Sequence, residues 1–171
     1  MLTFSILTIS DKGARGQRHD ESGQTIRDIF SNLDSKIVNY EIVPDEQDVI
    51  RQKLTEWADK GETDVVITTG GTGLGERDVT PEATIAVVDR VVPGFAEAMR
   101  ATSLSKTPMA MLSRATAGVR GKCLIINLPG SPRAVRECLA AVLPAIPHAV
   151  DIIKGVVTEH SPKVAGICDA N

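Results

Sequence analysis

Two aspartates stand just behind short apolar runs, and between them lies a dense cluster of glycines. Asp45 lies in Val43-Pro44-Asp45-Glu46, and Asp78 closes Thr69-Gly70-Gly71-Thr72-Gly73-Leu74-Gly75-Glu76-Arg77-Asp78. Carboxylates are hard oxygen ligands, so two of them on neighbouring loops could hold a hydrated Mg²⁺ between protein and phosphates. Successive glycines let the main chain approach a ligand and turn its N–H groups inward, which cradles a phosphate without a basic side chain. The local alternatives are a structural turn for the glycines, a helix cap for Asp45 and a turn-stabilising side chain for Asp78. The loop has neither the spacing of a dinucleotide-binding turn nor the Gly-Lys-Ser/Thr ending of a P-loop.

A second compact loop, Asn127-Leu128-Pro129-Gly130-Ser131-Pro132, offers an amide and a hydroxyl that can hydrogen-bond a planar heterocycle or a phosphate. It reads equally as a strand-to-helix turn with Pro132 near the helix start. Ser10-Asp11 ends the first apolar run. The histidines, His19, His148 and His160, are scattered and do not suggest a zinc triad. No serine sits in a G-x-S-x-G elbow.

The elements that would position these loops alternate between strand and helix. Leu2 to Ile9 reads as a buried strand, followed by a long polar loop to Asp20. Ser22 to Leu33 places Ile26, Ile29, Phe30 and Leu33 at helical spacing. Ile37 to Val43 is a second strand, and a helix runs from Asp45, as N-cap, to about Lys60. Asp64 to Thr69 is a third strand. Thr80 is the expected cap of a helix with Pro81 at its first position, reaching Val88. Val92-Pro93-Gly94 is read as a break before a helix over Phe95 to Ala101, with a short helix at Pro108 to Ser113. The stretch 101–121 fits poorly and admits an antiparallel excursion. Lys122 to Asn127 is a strand and Pro132 to Leu143 a helix with Val135, Leu139 and Val142 inward. This alternation predicts a single-domain, three-layer α/β sandwich around a mostly parallel sheet, whose ligand loops gather beyond the C-terminal strand ends.

Composition bounds the function classes. The 171 residues are 42% hydrophobic and 24% charged, with 19 basic against 22 acidic side chains. A chain of this size buries about 70% of its unfolded surface and forms a core without disulfides. The net charge of −3 gives no overall pull toward nucleic acid or anionic lipid, and the few aromatics are not interleaved with basic residues. Three widely spaced cysteines, Cys123, Cys138 and Cys168, fit a reducing compartment. The apolar start lacks a basic leader, and no run is long enough to cross a bilayer. The expectation is a cytoplasmic protein with neither nucleic-acid nor membrane partners.

Several ordered segments together resemble one family. Val66-Ile67-Thr68-Thr69-Gly70-Gly71-Thr72-Gly73, continuing through Arg77-Asp78-Val79-Thr80-Pro81-Glu82-Ala83, is similar to the molybdopterin adenylyltransferase family of molybdenum-cofactor biosynthesis. Ile9-Ser10-Asp11, Val43-Pro44-Asp45-Glu46, Pro93 to Arg100, Leu112-Ser113-Arg114 with Gly118, and Asn127 to Pro132 match it too. The resemblance covers Leu2 to about Gly155, which makes residues 1–155 the expected molybdopterin-binding domain and 156–171 a peripheral tail.

The resemblance implies AMP transfer from ATP to the terminal phosphate of molybdopterin, with release of pyrophosphate and Mg²⁺ as cofactor. It also implies a homotrimer, or a hexamer, and hand-over of the adenylylated product to a molybdenum-inserting protein. Carried over by residue, Asp45 and Asp78 are the metal-binding and catalytic carboxylates, and Gly70, Gly71, Thr72 and Gly73 the pterin-phosphate loop. Ser10 and Asp11 lie beside the nucleotide, and Asn127, Leu128, Pro129, Gly130 and Ser131 form the last substrate loop. The family also holds non-catalytic molybdopterin-binding or scaffold paralogues, and that is the alternative reading. The retained aspartates favour the enzyme.

Overall fold

Short β-rich runs that are apolar on both sides can only be satisfied in the middle of a covered sheet, and that is where they lie. The structure, a computed structural model, describes residues 1–156. Its six strands are β1 (Leu2–Ile9), β2 (Ser35–Val43), β3 (Val65–Thr69), β4 (Arg90–Val91), β5 (Ala117–Arg120) and β6 (Cys123–Leu128). Seven helices accompany them: α1 (Asp11–Ala14), α2 (Glu21–Ser31), α3 (Gln47–Asp59), α4 (Thr80–Ile85), α5 (Pro93–Leu104), α6 (Pro132–Val142) and α7 (Ile146–Lys154). The sheet order is β2-β1-β3-β6-β5-β4. β2, β1, β3 and β6 run parallel, β5 is antiparallel to β6, and β4 is antiparallel to β5. The mostly parallel three-layer sandwich is therefore as the sequence pattern requires, and 101–121 does hold the antiparallel excursion.

Strand alternation divides the core into two. Phe4, Ile6, Val65, Ile67, Leu124 and Ile126 point to the face covered by α2, α5, α6 and α7, where Phe30 stacks on Phe4 with ring centroids 4.0 Å apart. Leu7, Ile9, Val66, Cys123 and Ile125 point to the other face, under Ile50, Leu54 and Trp57 of α3 and Ala83 of α4. In α6, Val135, Cys138, Leu139 and Val142 recur at the i, i+3, i+4, i+7 spacing of one buried stripe. Burial pushes the Cys123 thiol up to about 12 and also raises Cys138, so both act as small core side chains.

Several local readings are corrected. The segment after β1 is not loop throughout: Ser10 caps the one-turn α1, its hydroxyl accepting the Gly13 N–H at 3.1 Å. Leu33 lies beyond α2 and is exposed, so the helical face is Ile26 and Phe30 with Ile29 partly buried. Asp45 does not cap α3, which starts after Glu46 without a side-chain cap. Thr80 is inside α4, with Val79 at the cap position. Pro93 opens α5 in its first turn instead of breaking the chain ahead of it. The Pro108 to Ser113 segment is a 3₁₀ turn over Pro108–Leu112. The sequence pattern does not anticipate β4 or α7. Most of the proposed tail, beyond Val156, lies outside the described residues.

Candidate active site

Parallel strands deliver their following loops to one edge of the sheet, and here β1, β2, β3 and β6 all do so. The cavity there has a volume of about 380 Å³ and is lined in part by Ser10, Asp45, Gly70, Gly71, Gly130 and Ser131. These come from the loops behind all four parallel strands. Asp11, Thr72, Gly73, Asp78, Asn127, Leu128 and Pro129 do not line it.

The first and second loops are locked together. The Asp11 N–H donates to Asp45 Oδ2 at 2.7 Å, and the Asp45 N–H returns a bond to Asp11 Oδ1 at 3.1 Å. Arg77 grips Asp11 with two bonds, Nε to Oδ2 at 3.1 Å and Nη2 to Oδ1 at 2.8 Å. The guanidinium holds the Asp11 carboxyl below the ordinary carboxylate value. Asp11 is thereby a brace between loops, with Arg77 neutralised against it.

Asp45 is in the opposite condition. Burial, followed by the nearby charges of Asp11 and Asp78, holds its carboxyl above the ordinary value, against the pull of the Asp11 N–H and Arg77. Asp78 accepts the Gly75 N–H on Oδ2 at 2.8 Å. Among the described residues, no hydrogen bond reaches Asp45 Oδ1 or Asp78 Oδ1. Each carboxylate thus keeps one oxygen without a hydrogen bond, and Arg77 offsets only part of what burial and the charges of Asp11 and Asp78 do to Asp45. Those oxygens fit a hard divalent cation that retains waters and phosphate ligands, an open donor set rather than a closed cage. No group of three or more His, Cys, Asp or Glu suited to a metal occurs among the described residues.

The glycine loop is built by positive φ and close approach. Gly70 and Gly71 have φ of 98° and 64°. A Cβ on Gly70 would lie 2.3 Å from the Ile9 carbonyl oxygen, and one on Gly71 would lie 2.4 Å from Thr80 Oγ1. Thr80 Oγ1 donates to the Gly70 carbonyl at 2.9 Å, and the Thr80 N–H to the Gly71 carbonyl at 3.1 Å, so the start of α4 is stitched to the turn. Gly73 is glycine for another reason: its Cβ would stand 2.9 Å from Asp78 Oδ2. Thr72 is buried, and its carbonyl accepts the Arg114 N–H at 2.9 Å. The Arg114 side chain adds bonds to the Gly73 carbonyl at 2.7 Å, to the Asp78 carbonyl and to Glu82. Arg114 is the strap that fixes this loop.

Asn127 is fully buried. Its amide donates to Thr68 Oγ1 at 3.0 Å and Thr84 Oγ1 at 2.9 Å, so it joins β3 and α4 and does not face the cavity. Leu128 is core, and the Pro129 carbonyl accepts from Thr69 Oγ1 at 2.7 Å. Of this loop, Gly130, Ser131 and Pro132 reach the cavity. The rest holds the turn in place.

Sequence reasoning passed over the far wall, formed by Thr8, Arg18, His19, Asp20, Glu21 and Ser22. Asp20 is its anchor. Its carboxylate accepts from Thr8 Oγ1 at 2.6 Å, Tyr40 Oη at 2.6 Å, Ser22 Oγ at 3.1 Å and the Gly23 N–H at 2.8 Å. Burial pushes its carboxyl up, but these donors outweigh burial and leave it below the ordinary value. The signal available in the sequence was an N-cap, Asp20 three residues before Gly23.

A compact α/β sandwich with a glycine turn and paired aspartates at the strand ends places the chain in a defined class. A family model described as "Probable molybdopterin binding domain" matches residues 5–148, and the chain belongs to that family. It is 50% identical over 154 residues to a Helicobacter pylori protein named molybdopterin adenylyltransferase, covering 89% of this chain and 88% of that one. The Escherichia coli K12 protein of the same name is 36% identical over 177 residues, 95% of this chain and 91% of its own. Among solved structures, the molybdopterin biosynthesis enzyme MoaB of Thermus thermophilus superposes with a TM-score of 0.85 at 52% identity, over 91% of this chain and 98% of that chain.

Proposed function

We propose that this chain is a Mg²⁺-dependent molybdopterin adenylyltransferase, with residues 1–155 as the molybdopterin-binding domain. The observation that carries the reading is that two carboxylates along the glycine loop, Asp45 against Gly71 and Asp78 against Gly73 and Gly75, each keep an oxygen free of hydrogen bonds. The relatives named for this activity support it.

In the proposed reaction a terminal phosphate oxygen of molybdopterin attacks the α-phosphorus of ATP. The bond from that phosphorus to the bridging oxygen breaks, and pyrophosphate leaves. The attacking oxygen is already ionised near neutral pH, so no strong general base is needed, and catalysis is placement plus neutralisation of charge. The Gly70 N–H is taken by the Leu128 carbonyl at 3.2 Å, which leaves the Gly71 N–H to meet the pterin phosphate, with Gly70, Thr72, Gly73 and Arg114 holding the loop's shape. Ser10 and Ser131 present their edges to the substrates, Asp11 braces Asp45, and Asn127 with Leu128, Pro129 and Gly130 sets the position of Ser131. Asp45 and Asp78 would hold Mg²⁺, which supplies charge neutralisation for the phosphates when bound.

A homotrimer, with a hexamer as the variant assembly, hand-over to a molybdenum-inserting protein and a cytoplasmic location complete the proposal. Two buried free cysteines fit a reducing compartment. No helix among the described residues is long and apolar enough to cross a membrane. The test is pyrophosphate release on mixing protein, ATP, Mg²⁺ and molybdopterin, with the pterin product weighed by mass spectrometry. Stoichiometric pyrophosphate and an adenylylated pterin are expected. Tight pterin binding with no release above background would leave a binding paralogue.

A further inference from the structure

Polyphosphate is strongly anionic, yet the cavity carries three carboxylates, Asp20, Glu21 and Asp45, in its lining. Arg18 is the only lysine or arginine among the lining residues. The other arginines of the site are engaged: Arg77 grips Asp11, and Arg114 grips Glu82 and two loop carbonyls. Arg18 is exposed and forms no ion pair among the described residues.

The backbone carrying Arg18 is held on both sides. Before it, the Gly16 N–H bonds the Gly13 carbonyl and the Gln17 N–H bonds the Lys12 carbonyl, each at 2.9 Å, with Gly16 in the left-handed region at φ 70°. After it, Asp20 is clamped to Thr8 of β1 and Tyr40 of β2. The pinned main chain keeps Arg18 at the cavity rim, and a guanidinium fork matches two phosphate oxygens at once. The start of α2 does not compete for the anion, because Asp20 occupies its cap and Glu21 its first turn.

We propose that Arg18 is a diphosphate-binding residue of this cavity, contacting the polyphosphate chain of the nucleotide. The assignment rests on the adenylyl-transfer reading for the identity of the nucleotide, but the anion contact can be measured without turnover. The experiment is calorimetric titration of the purified protein with inorganic pyrophosphate and, separately, orthophosphate. The variants are Arg18→Gln, Arg18→Lys and, as control, Arg15→Gln on the same segment but outside the cavity lining. Thermal unfolding of each preparation verifies folding.

Arg18→Gln is expected to weaken pyrophosphate binding by about tenfold or more, the scale of one charge-assisted bidentate contact. Arg18→Lys should fall between it and the parent, Arg15→Gln should match the parent, and the KM for ATP should rise in step with the pyrophosphate Kd while kcat changes less. Equal pyrophosphate affinity in parent and Arg18→Gln would overturn the proposal. So would a parent that binds no pyrophosphate, or a loss confined to orthophosphate. Arg18-dependent pyrophosphate binding without AMP transfer would sink the adenylyltransferase reading alone. AMP transfer with Arg18-independent binding would sink the Arg18 contact alone.

Discussion

Asp20 and Asp45 line the same cavity, and their surroundings treat the two carboxylates in opposite ways. Asp20 receives three hydroxyls and a main-chain N–H, and its pKa falls below the ordinary value in spite of burial. Asp45 receives the Asp11 N–H, faces the charges of Asp11 and Asp78, and its pKa rises. A carboxylate whose lone pairs are filled by protein donors builds structure. One left under-satisfied among like charges is stabilised by whatever positive charge arrives from outside. The wall around Asp20 is therefore scaffold for the cavity, and the corner around Asp45 and Asp78 is where a cation and phosphates gain the most.

The largest effect is expected at the corner. Asp78→Asn keeps an acceptor for the Gly75 N–H but removes the charge, so AMP transfer should fall by about 10³-fold or more. Molybdopterin affinity, read by titration on the same preparation, should stay within about twofold. A fully active Asp78→Asn protein would erase the contrast between the Asp20 wall and the corner of Asp45 and Asp78.

Next comes Asn127, a residue whose polar side chain serves the scaffold. Asn127→Leu leaves the buried Thr68 and Thr84 hydroxyls without this partner and should cost about 3 kcal/mol in denaturant unfolding. A cost under about 1 kcal/mol would mean the buried network is not what fixes the last loop.

Asp20→Asn should cost about 1–2 kcal/mol near neutral pH. Because the folded-state pKa of Asp20 is depressed, its contribution is present above the ordinary value of 3.8 and is lost as pH falls through the folded value. The parent should lose stability below about pH 3.8 more steeply than Asp20→Asn. Burial, then the hydrogen bond and charge of Asp20, hold the phenol of Tyr40, the chain's only tyrosine, above its ordinary value, so ultraviolet titration of Asp20→Asn should show that phenol ionising at lower pH. An unmoved tyrosine titration would break the Asp20–Tyr40 link.

The smallest stability effect is expected at Gly73. Its φ lies outside the left-handed region, so Gly73→Ala carries no positive-φ strain and should cost no more than about 1 kcal/mol. The added methyl group would press on Asp78 Oδ2, and AMP transfer should drop by about tenfold through that displacement. Unchanged turnover would show that the Asp78 position tolerates a shift.

The same contrast explains what the sequence revealed. The sheet was legible because strands such as Val65-Val66-Ile67 carry their own pattern, and the α3 stripe of Ile50, Leu54 and Trp57 carries another. Exposed, two-residue β4 has no pattern to read. Asp45 and Asp78 were visible as residue types behind strands, but their condition was not. The bond that removes Asp45 from a cap comes from Asp11, 34 positions away. Asp20 gains its role from Thr8 and Tyr40, 12 and 20 positions away. Positive φ at Gly70 and Gly71, and the close approach of Ile9, Thr80 and Asp78 that leaves no room for a Cβ at Gly70, Gly71 and Gly73, are features of the folded chain that no local spacing encodes.

The central claim is that the Asp45–Asp78 corner works by holding a cation against phosphate. Pyrophosphate release from ATP and molybdopterin, followed against free Mg²⁺ in the parent and in Asp45→Asn, tests it most directly. The account predicts no release in chelator, recovery on adding Mg²⁺, and a rate in Asp45→Asn that stays at least about 10²-fold lower even at high Mg²⁺. A parent that releases pyrophosphate at full rate in chelator, or an Asp45→Asn protein with the parent's Mg²⁺ response, would contradict it.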